Sequence, residues 1–264
     1  MNKDTIKCIS IAEKPGTLGV TFHNRGYEAL GLNYSYMPLK VMPSQLESVI
    51  SLLRDNFHGC SVSMPHKVKI MEYLDELDNS ASKIGAVNTI LNKNGILIGY
   101  NTDYYGAKRA IETSLDIREK EVVMIGAGGV ARAMGNAVKD LGGKLIIANR
   151  TEEKAIDLTC ILSVPYILFK NLNKVSGYLL INATNVGMNN NEDVIVPQDI
   201  ISKFDAVMDV VIPKEGKTRL INEVIRADKR YITGRTMAAY QAAEQFRLYT
   251  EKELPEEFIQ NFLN

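Results

Sequence analysis

Short apolar runs alternate with amphipathic segments along this chain, and that alternation is the signature of βαβ units. Early in the chain, the runs at 7–11, 34–38, 59–63, 87–91 and 96–100 read as strands. Between them, residues 22–30, 43–55 and 67–74 carry apolar side chains at helical spacing, as Leu46, Val49, Ile50 and Leu53 do. Leu91-Asn92-Lys93-Asn94-Gly95-Ile96 reads as a hairpin turn, which puts one antiparallel pair into an otherwise parallel sheet. Residues 103–115 read as a helix leaving this unit. A polar stretch at 116–121 follows, and a second unit starts at Val122. The chain has no internal repeats and no low-complexity tracts.

The sharpest local signal opens that second unit. A strand at 122–125 runs into Gly126-Ala127-Gly128-Gly129 and then into an apolar helix at 130–141. In this context glycines have a physical meaning. Gly126 permits a tight turn, while Gly128 and Gly129 let the backbone approach a pyrophosphate closely. The helix beginning at Val130 offers N–H groups and the positive end of its dipole to phosphate. The spacing is GxGGxA rather than GxGxxG, and Ala131 is small enough to keep the helix close to the strand. The next strand ends at Asn149-Arg150-Thr151, with Lys154 three residues later. In an NAD-binding unit that strand usually ends in an acid that holds the ribose 2′-hydroxyl. Arg150 would instead attract a 2′-phosphate and can stack on adenine, Thr151 can donate to the same phosphate, and Lys154 adds charge. The expected cofactor is NADP(H); the bland alternative is an exposed arginine at a strand end.

Composition narrows the class. The chain has 264 residues, enough for one large domain or two small ones. Hydrophobic residues make up 45% and charged residues 23%, as in a soluble globular protein. Lys+Arg and Asp+Glu both number 31, which points away from nucleic acid and anionic membrane surfaces. No apolar stretch approaches the roughly 20 residues a bilayer requires. The N-terminus carries no apolar run followed by a small-residue cleavage site, so a cytoplasmic protein is expected. Cys8, Cys60 and Cys160 are odd in number and scattered, and read as reduced, buried thiols rather than disulfides or metal ligands.

Only His23, His58 and His66 occur, and none stands in a nucleophile or metal pattern; HExxH, GxSxG and paired-cysteine motifs are absent. No metal is expected. A dehydrogenase built on this chain would then take its proton-transfer group from a lysine or carboxylate in the first unit. Strand ends are where an open α/β sheet places its ligands. Ser61-Val62-Ser63-Met64-Pro65-His66-Lys67, Gly85-Ala86-Val87-Asn88-Thr89 and Gly99-Tyr100-Asn101-Thr102-Asp103 occupy such positions.

These three segments, the glycine turn and Asn149-Arg150-Thr151 occur in the order and spacing of shikimate dehydrogenases. So do Asn182-Ala183-Thr184, Val186-Gly187-Met188, Gly234, and the run from Met237 through Gln241 to Phe246. The chain thus resembles that family over essentially its whole length. The resemblance implies a two-domain α/β fold: a mixed-sheet substrate domain at residues 1–102, a Rossmann NADP-binding domain at 103–236, and C-terminal helices at 237–264 returning to the first. It implies NADP-linked, reversible reduction of 3-dehydroshikimate to shikimate, within aromatic amino acid and chorismate biosynthesis, by a monomer or homodimer. Lys67 stands at the catalytic lysine and Asp103 at its aspartate partner. Such a pair would hold the reacting hydroxyl between an ammonium and a carboxylate. Asn88 and Gln241 resemble side chains that bind the ring hydroxyls. Gly234 and Met237 resemble residues lining the nicotinamide pocket, and Thr184, Val186 and Val211 resemble residues that contact the cofactor.

The chain also departs from the family. The usual Ser-x-Ser-Pro segment, whose hydroxyls bind the substrate carboxylate, is replaced by a segment with Thr17 and Gly19, and Gly19 offers no donor. The usual Asn-Val-Thr is Ser61-Val62-Ser63, which keeps hydroxyls and loses an amide. Ile212 stands where a tyrosine is usual after Asp209, and the loop to Thr218 is one residue longer. Losing a charge-assisted hydrogen bond to a carboxylate costs roughly 1.5–3 kcal/mol, or one to two decades of affinity. These changes cluster at the substrate and spare the cofactor, as in the shikimate-dehydrogenase-like paralogues. Two readings follow. One is a dehydrogenase acting on shikimate or a close relative such as quinate or an amino-shikimate; the other is an NADP(H)-binding protein with weak or vestigial catalysis.

Overall fold

The computed structural model describes residues 2–188 and 193–263. The chain forms two units, residues 1–102 with 241–264 and residues 103–240.

The first unit is built on a mixed sheet. Its elements are β1 (Ile6–Ala12), α1 (Leu18–Ala29), β2 (Tyr34–Lys40), α2 (Leu46–Asn56), β3 (Gly59–Val62), β4 (Glu76–Leu77), α3 (Asn79–Ile84), β5 (Thr89–Lys93) and β6 (Ile96–Tyr100). The strand order is β2-β1-β3-β5-β6-β4. β1 runs parallel to β2 and β3, and β4 runs parallel to β6. β5 is antiparallel to both β3 and β6, so the sheet holds two antiparallel pairs where the hairpin alone predicts one. The reason is placement: β5 is the one strand that runs against the rest, and it lies between β3 and β6, so it makes an antiparallel pair on each side. Ile9, Ile11, Val62, Ile90 and Leu97 from the strands pack with Leu46, Ile50 and Leu53 from the apolar stripe of α2. Burying each such side chain is worth roughly 1.5–3 kcal/mol.

Several local expectations shift. α1 begins at Leu18, four residues before the predicted start, because Gly19 and Thr21 hide the apolar period. Pro43–Gln45 forms a separate 3-10 turn ahead of α2. The stretch predicted as a helix at 67–74 is a 3-10 turn, Lys69–Tyr73, in which Met71 N–H donates to the Val68 carbonyl. Val87 and Asn88 precede β5 rather than belonging to it: Val87 N–H donates to Lys67 O at 2.8 Å. α3 has no counterpart among the predicted elements, although it carries both end signals. Asp78 Oδ1 accepts from Ser80 N–H at the N-cap, and Gly85, at φ 69°, closes the C-terminus. Cys8 and Cys60 are buried, but Cys160 is exposed on a helix surface.

The second unit contains α4 (Thr102–Glu112, its first residue belonging to the first unit), β7 (Glu121–Ile125), α5 (Gly129–Asp140), β8 (Lys144–Asn149), α6 (Glu152–Leu162), β9 (Tyr166–Leu168), β10 (Gly177–Asn182), α7 (Gln198–Ile201), β11 (Phe204–Asp209), α8 (Arg219–Arg226) and β12 (Arg230–Thr233). The order β12-β11-β10-β7-β8-β9 is parallel throughout. The chain winds outward from β7 through β8 and β9, then returns to its other side at β10. That makes β7 and β10 the switch point, where open parallel sheets bind ligands at the carboxyl ends of their strands. Val122, Val123, Met124 and Ile125 are all buried, as a central strand requires. α5 and α6 approach closely at Gly135, where a Cβ would stand 2.4 Å from Leu162 of α6.

The last two helices are α9 (Gly234–Thr250) and α10 (Glu256–Leu263), and the change of unit falls inside α9 after Tyr240. Phe258 and Phe262 meet Phe22 of α1 edge to face, with ring centroids 5.5 and 4.9 Å away. No helix among the described residues is long and apolar enough to cross a membrane.

Candidate active site

In the first unit, four polar side chains from distant parts of the chain meet in one buried cluster. Asn88 Oδ1 accepts from the Thr102 amide at 2.8 Å and lies 2.8 and 3.1 Å from the hydroxyls of Thr89 and Thr102. Because a backbone N–H can only donate, that end of the Asn88 amide is fixed as the oxygen. Gln241 Nε2 donates to Thr102 Oγ1 at 3.0 Å. Asn88 and Gln241, both candidates for substrate hydroxyls, are therefore brought together on Thr102, the residue before Asp103. Asp103 is half-buried in the first turn of α4, where the helix dipole favours a carboxylate.

One turn beyond Gln241 on α9, the buried Gln245 extends the cluster. Its Nε2 donates to Thr89 Oγ1 at 2.9 Å and to the Asn88 carbonyl at 3.2 Å, and its Oε1 lies 3.3 Å from His23 Nε2. His23 is fully buried and stacked on Tyr36 at 4.3 Å. Burial lowers its pKa to about 4, so the ring is neutral, and its Nδ1 has no hydrogen-bond partner among the described residues. Sequence reasoning missed Thr102 and Gln245. The usable signal was the i, i+4 glutamine pair, which places both amides on one face of α9.

A second cluster surrounds Ser61. The buried Tyr36 hydroxyl donates to Ser61 Oγ at 2.5 Å, and Tyr249 Oη lies 3.2 Å from it. Desolvation raises the pKa of both phenols, so both stay protonated. Gly59 explains how Tyr249 arrives: a Cβ there would stand 2.4 Å from its ring. Gly59 and Ser61, two residues apart on β3, share a face. Gly19 borders the same place, since a Cβ on it would lie 3.7 Å from Tyr36 Oη. Thr17 is exposed at the N-cap of α1 and makes no side-chain capping bond.

Lys67 is half-buried and follows the buried His66, whose Nε2 lies 2.9 Å from the Val41 carbonyl. The Lys67 carbonyl accepts from Val87, the residue before Asn88, so the lysine segment and the amide cluster share a backbone tie. Ser63 is exposed.

In the second unit the glycine turn leaves the end of β7. Gly126 has φ 114°, and a Cβ on it would meet the Ala183 carbonyl at 2.8 Å, so both conformation and space demand glycine. A Cβ on Gly128 or Gly129 would meet nothing within 4 Å, which leaves an open cradle beside Ala127, Val130 and the first turn of α5. At the end of β8, Arg150, Thr151 and Lys154 are exposed. Asn149 Nδ2 donates to the Thr151 carbonyl at 2.7 Å and turns the chain there. Glu152, the nearest acid, accepts from Tyr166 Oη at 2.7 Å.

At the end of β10, Asn182 Oδ1 accepts from the amide and hydroxyl of Thr184 at 3.1 and 2.7 Å, and Thr184 Oγ1 accepts from Val186 N–H at 3.2 Å. Gly234 sits so close to the Val210 and Val211 carbonyls that a Cβ would stand 2.4–2.6 Å from them. Val211 and Met237 are buried, at 2% and 6% exposure, so they offer little side-chain surface.

An all-parallel sheet with a glycine turn at its switch point, preceded by a mixed-sheet unit, defines a two-unit Rossmann-type protein. The family described as shikimate dehydrogenase substrate binding domain matches residues 17–90. The chain belongs to the shikimate dehydrogenase family. It is 36% identical to a shikimate dehydrogenase-like protein of Haemophilus influenzae, covering 98% of this chain and 96% of that one. It is 38% identical to a shikimate dehydrogenase (NADP(+)) of Methanocaldococcus jannaschii, covering 90% and 89%. Among solved structures, a shikimate 5-dehydrogenase of Thermus thermophilus in complex with NADP(H) and shikimate is similar, with a TM-score of 0.89 at 26% identity and 98% coverage of both chains.

Proposed function

We propose that this chain is an NADP-dependent oxidoreductase that interconverts 3-dehydroshikimate and shikimate, or a close cyclic hydroxy acid. The observation that carries the reading is the convergence of Asn88 and Gln241 on Thr102, directly before Asp103. With Asn88 Oδ1 committed to the Thr102 amide, its Nδ2 is the end that addresses a ring hydroxyl of the substrate. Ser61 and Ser63, with Thr17, take the remaining polar groups of the acid.

The cradle at Gly128 and Gly129 fits a pyrophosphate, and Arg150, Thr151 and Lys154 fit a 2′-phosphate, with Asn149 rather than an acid as the last residue of β8. NADP(H), when bound, supplies or accepts the hydride. Lys67 and Asp103 form the proton-transfer pair: the ammonium donates to the carbonyl oxygen as it gains charge, and the carboxylate holds the resulting hydroxyl. In the reverse direction Lys67 receives that proton.

The acid itself is set by the Gly19 end. A Cβ on Gly19 would reach ordinary contact with Tyr36 Oη, and the second hydroxyl usual at this end is missing, so shikimate and close acids such as quinate are compared directly. The test is NADP+ reduction followed at 340 nm with shikimate and quinate in parallel, each with NAD+ as control. Turnover with NADP+ that vanishes in Lys67→Ala supports the reading. Tight NADP+ binding without turnover on any such acid replaces it with the vestigial one.

A further inference from the structure

Four strand ends of the parallel sheet stand in one row: Ile125, Asn182, Asp209 and Thr233 are register partners across β7, β10, β11 and β12. Three carry polar side chains, and each holds the segment that follows. Thr233 Oγ1 accepts from Thr236 N–H at the start of α9, and Asn182 holds Thr184 as described. Asp209 does more than either. Its Oδ1 accepts from Asn182 Nδ2 at 2.9 Å and from Val211 N–H at 3.1 Å, and its Oδ2 accepts from Thr218 Oγ1 at 2.6 Å. One carboxylate thus ties the end of β10 and both ends of the 210–218 loop together.

We propose that Asp209 is a positioning residue for the nicotinamide end of the cofactor, acting through Asn182, Thr218 and the Val211 amide on the segments that bear Thr184, Val186 and Val211. This rests on the NADP(H) reading above. A carboxylate that is 1% exposed and held by neutral donors is an expensive way to fill space. Desolvation accordingly raises its pKa, against the three hydrogen bonds that lower it. A neutral side chain of the same size would pack as well, but no neutral group accepts three such bonds in this geometry. The chain of bonds runs from Asp209 to Asn182, from Asn182 to Thr184 and from Thr184 to Val186, so the carboxylate fixes the loop after β10 without touching a ligand. The phosphate cradle and Arg150 lie at the ends of other strands, β7 and β8, and take none of these bonds.

That separation gives the test. The full-length protein and the variants Asp209→Asn, Thr218→Val and Thr218→Ser are titrated with NADP+ and with adenosine 2′,5′-bisphosphate, which lacks the nicotinamide half. The expected result is a roughly tenfold or greater loss of NADP+ affinity in Asp209→Asn and Thr218→Val, bisphosphate affinity unchanged, and wild-type behaviour in Thr218→Ser. Equal losses for both ligands would make Asp209 a general structural residue, and no loss for either would make it inert; both overturn the proposal. A wild-type protein that binds neither ligand would instead overturn the cofactor reading and this inference with it.

Discussion

Gln241 Nε2 donates to Thr102 Oγ1 at 3.0 Å, joining residues 139 positions apart in the chain. The bond locks α9 to the residue that precedes Asp103, and Asn88, just ahead of β5, grips the same threonine. The two proposed contacts to substrate hydroxyls therefore share one buried anchor, the residue that precedes the proposed proton-transfer aspartate.

Lys67→Ala is expected to abolish turnover while leaving NADP(H) affinity nearly intact. Steady-state rates and a fluorescence titration of NADPH check this. A parallel fall in both would mean that Lys67 supports the fold instead.

Arg150→Ala is expected to weaken NADP(H) by roughly ten- to a hundredfold, as removal of a charged hydrogen-bond partner does, and to leave NAD(H) little changed. Dissociation constants for both cofactors decide it; equal effects would sink the 2′-phosphate assignment.

Gly19→Ser fits the available space, since its Cβ would stand 3.7 Å from Tyr36 Oη, within ordinary contact. The variant is expected to lower KM for shikimate by restoring a hydroxyl at the carboxylate end. An unchanged or raised KM would place the carboxylate elsewhere.

Gly59→Ala drives a methyl group into the Tyr249 ring at 2.4 Å, an overlap that small shifts do not relieve. A destabilisation of about 1–3 kcal/mol is expected from urea unfolding, partly recovered in the double variant with Tyr249→Leu. Additive losses in the double variant would show that the ring is not the obstacle.

His23 gives a pH signature. Its folded pKa of about 4 lies below the ordinary value near 6.5. Between those values the unfolded chain binds a proton that the folded one refuses. Stability from this group is complete above about pH 6.5 and falls as pH drops toward 4, by up to about 3 kcal/mol. Urea midpoints at pH 7 and pH 4.5 should differ more in the wild type than in His23→Gln; equal differences would remove His23 as the source.

Much of the fold was legible along the chain, for reasons that can be assigned. The run Val122–Ile125 into Gly126 needs only neighbouring residues to declare a buried strand and a tight turn, and both are present as read. The two-unit α/β architecture and the family followed from the order of such segments. α3 escaped because its six residues are too few to show a period, although Asp78 and Gly85 mark its ends. Residues 67–74 misled because apolar spacing over about two turns does not separate a 3-10 turn from an α-helix. Cys160 was assigned to the interior from residue type alone, whereas its place on the outer face of α6 decides its exposure.

Features that depend on contiguous residues could be read along the chain: the strand–glycine–helix turn, the Asn149-Arg150-Thr151 strand end, and the series of motifs that marks the family. Which polar side chains meet depends instead on how the elements pack in three dimensions. That Thr102 receives Gln241, that Gln245 reaches His23, that Tyr249 crosses Gly59 to Ser61, and that Asp209 gathers Asn182 and Thr218 all depend on strand order and helix return. A hydrogen bond is directional and short-ranged, so it is specified by the positions of two groups in space. Spacing along the chain fixes those positions only within a single helix, strand or turn.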